Sequence, residues 1–228
     1  MTKDEWFTQT DVARHLQFIE GRLSPRKSRL LAAALCRAAD RHRDTPELAS
    51  ALDEVEWFTD GHAGVPELDR ARQQCRVLAV QQLEVSHRLT EEGDEDAALA
   101  ALVRHELAWA IAFAAAGSVM LRDVYMQLAG ELGRSPDGVF AAVCRDRVFD
   151  VVGNPFTPIA FLPEWRTSTA VTLAQQMYDT RDFRAMPILA DALQDAGCDS
   201  DDVLTHCRDP KQVHVRGCWV VDGVLGKE

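Results

Sequence analysis

Apolar residues recur at helical spacing along most of the chain. Ser24-Pro25 places a serine at a cap and a proline at a first helical position, so a helix is predicted from there to about residue 43. Leu31, Leu35, Ala38 and Ala39 form its apolar stripe. At ~100° per residue, Arg22, Arg26, Arg29, Arg37 and Arg41 fall on the opposite face. Thr45-Pro46 starts a second helix carrying Leu48, Leu52, Val55 and Trp57, with a stop near Gly61. Val65-Pro66 starts a third, running through Cys75, Leu78 and Leu83 to about Glu92, where Gly93-Asp94 breaks the chain. An alanine-rich helix follows over 95–116, ended by Gly117, and another over about 119–132, with Gly133 as its stop. Ser135-Pro136-Asp137 caps one more, running to about Val152.

The texture then changes. Gly153-Asn154-Pro155-Phe156-Thr157-Pro158 cannot continue a helix, and Pro163 extends the break. Short helices are predicted beyond it. One is capped by Thr167 or Ser168, one is opened by Pro187 and ended at Gly197, and one is capped by Asp199 or Ser200 and runs to about Cys207. Asp201 and Asp202 load that last helix's first turn, as the helix dipole favours. The final segment, 214–225, is rich in β-branched and aromatic residues, which suits a strand. No second strand candidate exists to pair with it, so a helix is favoured. The pattern predicts an all-α fold: an irregular helical bundle over 1–152 and a C-terminal set of short helices over 153–228. The joining loop is short and apolar (Phe156, Ile159, Phe161, Leu162), which predicts that the two parts pack into one globule rather than hang on a free tether.

Composition narrows the function classes. The 228 residues are 46% hydrophobic, which excludes a disordered chain and supplies a core. The net charge of −11 opposes attraction to nucleic acid or to an anionic membrane surface. The first residues lack the basic start and apolar stretch of a signal peptide. The longest apolar-rich stretch, 107–120, is interrupted by Gly117 and Ser118 and falls short of a membrane span. A cytoplasmic location is expected, with the six cysteines as free thiols or ligands rather than disulfides.

Candidate chemistry concentrates near the C-terminus. Cys198, His206, Cys207, His214 and Cys218 are of the residue types that zinc takes in tetrahedral geometry. On a helix, His214 and Cys218 lie four apart on one face, at chelating distance; on a strand they lie ~13 Å apart and cannot share an ion. The spacing matches no standard zinc finger, and a packed thiol–imidazole knot without metal is the competing reading. The arginine face, with Arg26, Arg29, Arg37 and Arg41, is a candidate docking surface for phosphate or an acidic protein partner. The alternative is a solvated face neutralised by the protein's own carboxylates. Arg104-His105-Glu106 reads as a polar helical stripe, and the acidic run Asp191, Asp195, Asp199, Asp201, Asp202 as helix starts and surface. A Cys218 nucleophile with His206 as base is chemically conceivable. There is no Gly-x-Ser-x-Gly elbow, phosphate-cradling glycine loop, dinucleotide fingerprint or His-Glu-x-x-His.

Gly153-Asn154-Pro155-Phe156, the run 188–193, Asp195-Ala196-Gly197-Cys198, His206-Cys207-Arg208 and the stretch from His214 to Asp222 together resemble a large paralogous family of planctomycete proteins. Trp6 and Pro25-Arg26-Lys27-Ser28-Arg29-Leu30 fit that resemblance, as does Cys36, although Leu35 stands where a first cysteine of a pair is usual. The resemblance covers both ends and little of 69–148. It implies an intracellular bacterial source and no particular reaction, cofactor or substrate. The leading expectation is a non-enzymatic module that binds another protein through a helical face. The alternative is a zinc-binding protein, structural or hydrolytic, centred on the C-terminal cysteines and histidines.

Overall fold

The computed structural model describes residues 1–39, 45–116, 118–130 and 138–227. The described residues are all-α: α1 (Lys3–Thr8), α2 (Val12–Ile19), α3 (Pro25–Ala38), α4 (Pro46–Thr59), α5 (Val65–Glu92), α6 (Glu95–Ala114), α7 (Leu121–Ala129), α8 (Val139–Val152), α9 (Ser168–Thr180), α10 (Met186–Asp195), α11 (Asp201–Arg208) and α12 (Trp219–Leu225), with no strand among them. The cap predicted at Ser135-Pro136-Asp137 and the stops at Gly117 and Gly133 lie outside the described residues. The chain divides into two compact units, Met1–Arg145 and Asp146–Glu228, so the division falls inside α8.

In the first unit, α3 is enclosed on nearly every side, with Arg29 to Cys36 all buried. Its neighbours are α4, α6 and α7, so it has no broad solvent face. Arg26, Arg29 and Arg37 are therefore engaged within the chain rather than laid out as an open face. Arg37 donates to Glu56 at 2.6 Å and to Asp53 at 2.8 Å, both on α4, and Arg26 reaches Asp60 at 3.4 Å. Buried Arg29 lies over the Phe58 ring and donates to the Ala116 carbonyl. The protein's own carboxylates do neutralise this face, but in partly buried ion pairs rather than in solvent. Arg41 lies outside the described residues.

The two longest helices, α5 and α6, turn back on each other at Gly93-Asp94 and are tied along their length. Ser86 donates to the Ala98 carbonyl, Arg104 to Gln82, and the His105 ring bonds the Ala79 carbonyl. Glu106 accepts from Gln127 on α7. The Arg104-His105-Glu106 stripe thus serves interhelical packing. Contrary to the expectation from sequence, one helix, α6, is long and apolar enough by length and composition to cross a membrane, with mean hydropathy 1.4; half of that window is buried inside the protein. Its apolar character comes from aliphatic side chains packed in the interior, including Ala98, Ala101, Leu107, Ala108 and Ile111. At the N-terminus, α1 is pinned by Trp6, which is buried edge-on against His15; the His15 ring bonds the Trp6 and Asp11 carbonyls.

The second unit has its own core, built from Ala170, Ala174, Met177, Tyr178, Leu189, Leu193, Val203, Val220, Val221 and Val224. Thr167 caps α9 and Ser200 caps α11. The stretch 153–163 is docked onto this core: Asn154 closes a local turn with Phe156 and Thr157, and Phe161 packs edge-on against Trp165 and Trp219. Gly153 has φ +65°, and a Cβ there would stand 3.0 Å from the Trp219 ring, so a larger residue would strain the backbone and press on the indole.

Candidate metal centre

The favoured helix over 214–225 forms only from Trp219 onward, with Cys218 as its N-cap. Residues 214–217 make a turn instead. The Val215 N–H donates to Asp150 Oδ2 at 2.8 Å, and buried Arg216 lies over the Tyr178 ring while donating to its carbonyl. Gly217, at φ +92°, turns the chain into α12, a conformation that a longer helix would not contain. These tertiary bonds outweigh the local preference for a continuous helix. The premise that helical spacing aligns His214 with Cys218 therefore fails, yet the turn brings the two together: Cys218 Sγ lies 3.9 Å from His214 Nδ1.

Four side chains converge here. Asp150 comes from the last turn of α8, His206 from α11, His214 from the turn and Cys218 from the start of α12. One donor atom from each lies within 4.8 Å of all the others. His214 Nδ1 is 2.8 Å and His206 Nε2 3.2 Å from Asp150 Oδ1, and His206 Nε2 is 3.2 Å from Cys218 Sγ. The zinc bond lengths to N, O and S place tetrahedral ligand atoms about 3.3–3.6 Å apart. The separations of 2.8, 3.2, 3.2 and 3.9 Å fall to either side of that range, so a bound ion would draw some pairs together and spread others.

The surroundings hold these groups in place. The Asp150 and Cys218 side chains have no exposure, and those of His214 and His206 have 6% and 10%. The Val215 amide occupies Asp150 Oδ2 and so turns Oδ1 toward the two histidines, the arrangement by which outer bonds orient a ligating carboxylate. Burial acts to raise the Asp150 carboxyl, but hydrogen bonds from His206 and His214 overcome it and hold the group below its ordinary pKa. Burial, with Asp150 adding to it, pushes the Cys218 thiol well above its ordinary value. A bound cation reverses that second effect, since a coordinating thiol gives up its proton.

Of the five residues expected from sequence, His206, His214 and Cys218 join this set and Cys198 and Cys207 do not. Cys207 is adjacent to His206 on α11 and turns into the unit's core, as does Cys198. Burial pushes Cys207 up to about 12. The member that sequence reasoning missed is Asp150. Its signal was a lone carboxylate within Phe149-Asp150-Val151-Val152, where an apolar helical run requires a partner for any buried charge. The arrangement does not suit a Cys218 nucleophile, because the thiol is wholly buried and one nitrogen of His206 faces both Cys218 and Asp150. A nucleophile–base–orienter relay would use the two ring nitrogens for separate partners. No protein-family model, no curated protein and no solved structure matches the chain.

Proposed function

We propose that the C-terminal unit is a structural zinc module, with Asp150, His206, His214 and Cys218 as its four ligands. The observation that carries this reading is the convergence of one oxygen, two nitrogens and one sulfur within 4.8 Å of one another in a buried position. Imidazole and thiolate donors favour zinc over calcium or magnesium. Four protein ligands close the coordination shell, which is the pattern of structural sites; catalytic sites keep one position open. The ion would tie the end of α8 to α11 and to the start of α12. Because the ligands come from segments far apart in sequence, its binding energy would be folding energy. Docking of a protein partner through the arginine face is not supported in the same way, since Arg26 and Arg37 are engaged with carboxylates of their own chain.

Elemental analysis tests this. Protein produced with zinc available and purified into metal-free buffer is expected to carry about one zinc per chain, and Asp150→Ala or His206→Ala to carry far less. Wild-type protein that neither retains zinc nor takes it up on titration would reject the reading.

A further inference from the structure

Helix α5 buries only one side. Leu68, Ala71, Cys75, Ala79 and Ser86 are buried where it packs on α4 and α6. On the opposite side Val77 and Val80 stand 47% and 53% exposed. At ~100° per residue, Asp69, Arg70, Glu84 and Arg88 share the face of the two valines, and all four are exposed. Two exposed valines alone are ordinary surface. The charges that flank them specify an occupant.

A contact between two copies about a two-fold axis must be complementary to itself, because each pair of residues meets twice. With the axis midway between Val77 and Val80 and the two α5 helices antiparallel, Val77 meets Val80 of the second copy, Asp69 meets Arg88 and Gln73 meets Glu84. Arg70 falls beside the second copy's His87, with Glu84 and Glu91 one turn away on either side. No carboxylate meets a carboxylate, and no arginine meets an arginine. A parallel pair in register does the reverse, setting Arg70, Glu84 and Arg88 each against itself. The antiparallel pair also sets Glu91, in a last turn with no basic residue, against the first turn of the other helix, where the dipole favours a carboxylate.

We propose that α5 is the contact face of a homodimer, in which two copies of this chain pack antiparallel about the midpoint between Val77 and Val80. The contact lies in the first unit and does not depend on the metal reading. The face from Pro66 to Glu91 is about 37 Å long and one helix wide, which places the contact in the small class, below ~1,200 Å² in total. The dimer is therefore weak and exchanges with monomer. The valines supply its apolar centre, and the Asp69–Arg88 pairs, formed twice by symmetry, fix its register.

Sedimentation velocity of the full chain at low salt, from ~10 μM to ~1 mM, tests this. The mass is expected to rise with concentration from 25.4 kDa towards twice that value. Val80→Asp is expected to stay monomeric throughout, because it sets a carboxylate at the apolar centre of each copy. Arg88→Asp is expected to weaken dimerisation about tenfold, since the two-fold turns two attractions into two repulsions. Adding Asp69→Arg to Arg88→Asp exchanges the charges across the contact and should restore the wild-type affinity. All three side chains are exposed, so the variants keep the fold, which circular dichroism checks. Wild-type protein that stays monomeric at the highest concentration overturns the proposal. So does a dimer indifferent to Val80→Asp, which uses another surface, and so does a double variant no tighter than Arg88→Asp alone, which breaks the antiparallel register.

Discussion

Arg37 stands between Glu56, which is almost wholly buried, and Asp53, with bonds of 2.6 and 2.8 Å. Burial works against the Arg37 guanidinium, and its two carboxylates more than restore it. Removing one member of such a group leaves the other charge buried without compensation. Arg37→Ala is expected to lower unfolding stability by ~2–4 kcal/mol in urea denaturation. Arg184→Ala, at an exposed pair with Asp182, should leave the transition unmoved. An unchanged midpoint for Arg37→Ala would show that the α3–α4 ion pairs contribute nothing. The cysteines behave alike by burial: all six are buried and none is in a disulfide, with Cys75 and Cys207 pushed up to about 12. Native protein at pH 8 is expected to react negligibly with a thiol reagent, and fully once unfolded; rapid native labelling of several thiols would contradict that. At this scale the sequence was only partly legible. His206, His214 and Cys218 were found because their residue types are unusual and close together. Cys198 and Cys207 share that nearness in sequence, but nearness does not give direction in space, and both turn into the core. Asp150 was missed because nothing local links it to residues more than fifty positions later.

The elements were the most legible scale, because helix starts depend on local chemistry. Ser24, Thr167 and Ser200 all cap helices through their side chains, and proline opens α3 and α4. The failures came where long-range bonds decided. Arg216 on Tyr178 and Val215 on Asp150 hold 214–217 as a turn against a plausible helical run. Amphipathic spacing assigns the arginines to one face, as a docking surface or a solvated one, without saying what covers it; here carboxylates of α4 and of its C-cap engage Arg37 and Arg26. One glycine is decisive for the site: Gly153 combines φ +65° with contact to the Trp219 ring. Gly153→Ala is expected to cost ~1–3 kcal/mol, from the left-handed backbone and from displacement of the indole. Thermal denaturation checks it, and an unshifted melting temperature would mean that Trp219 yields freely.

On the scale of the whole molecule, each unit has its own internal contacts, and the proposed site belongs to Asp146–Glu228 alone. Metal removal should therefore act locally. A strong chelator is expected to raise amide exchange in α11, α12 and the turn between them, while α5 and α6 keep their protection. Protection lost equally in both units would contradict a site confined to one of them. The central claim, four ligands with a single thiolate, is tested most directly by the absorption spectrum of the cobalt(II)-substituted protein. The account predicts an intense visible band of tetrahedral cobalt with a thiolate-to-metal charge-transfer band, the latter lost in Cys218→Ser and both lost in Asp150→Ala. A weak, octahedral-type spectrum without charge transfer, or one indifferent to these two substitutions, would contradict it.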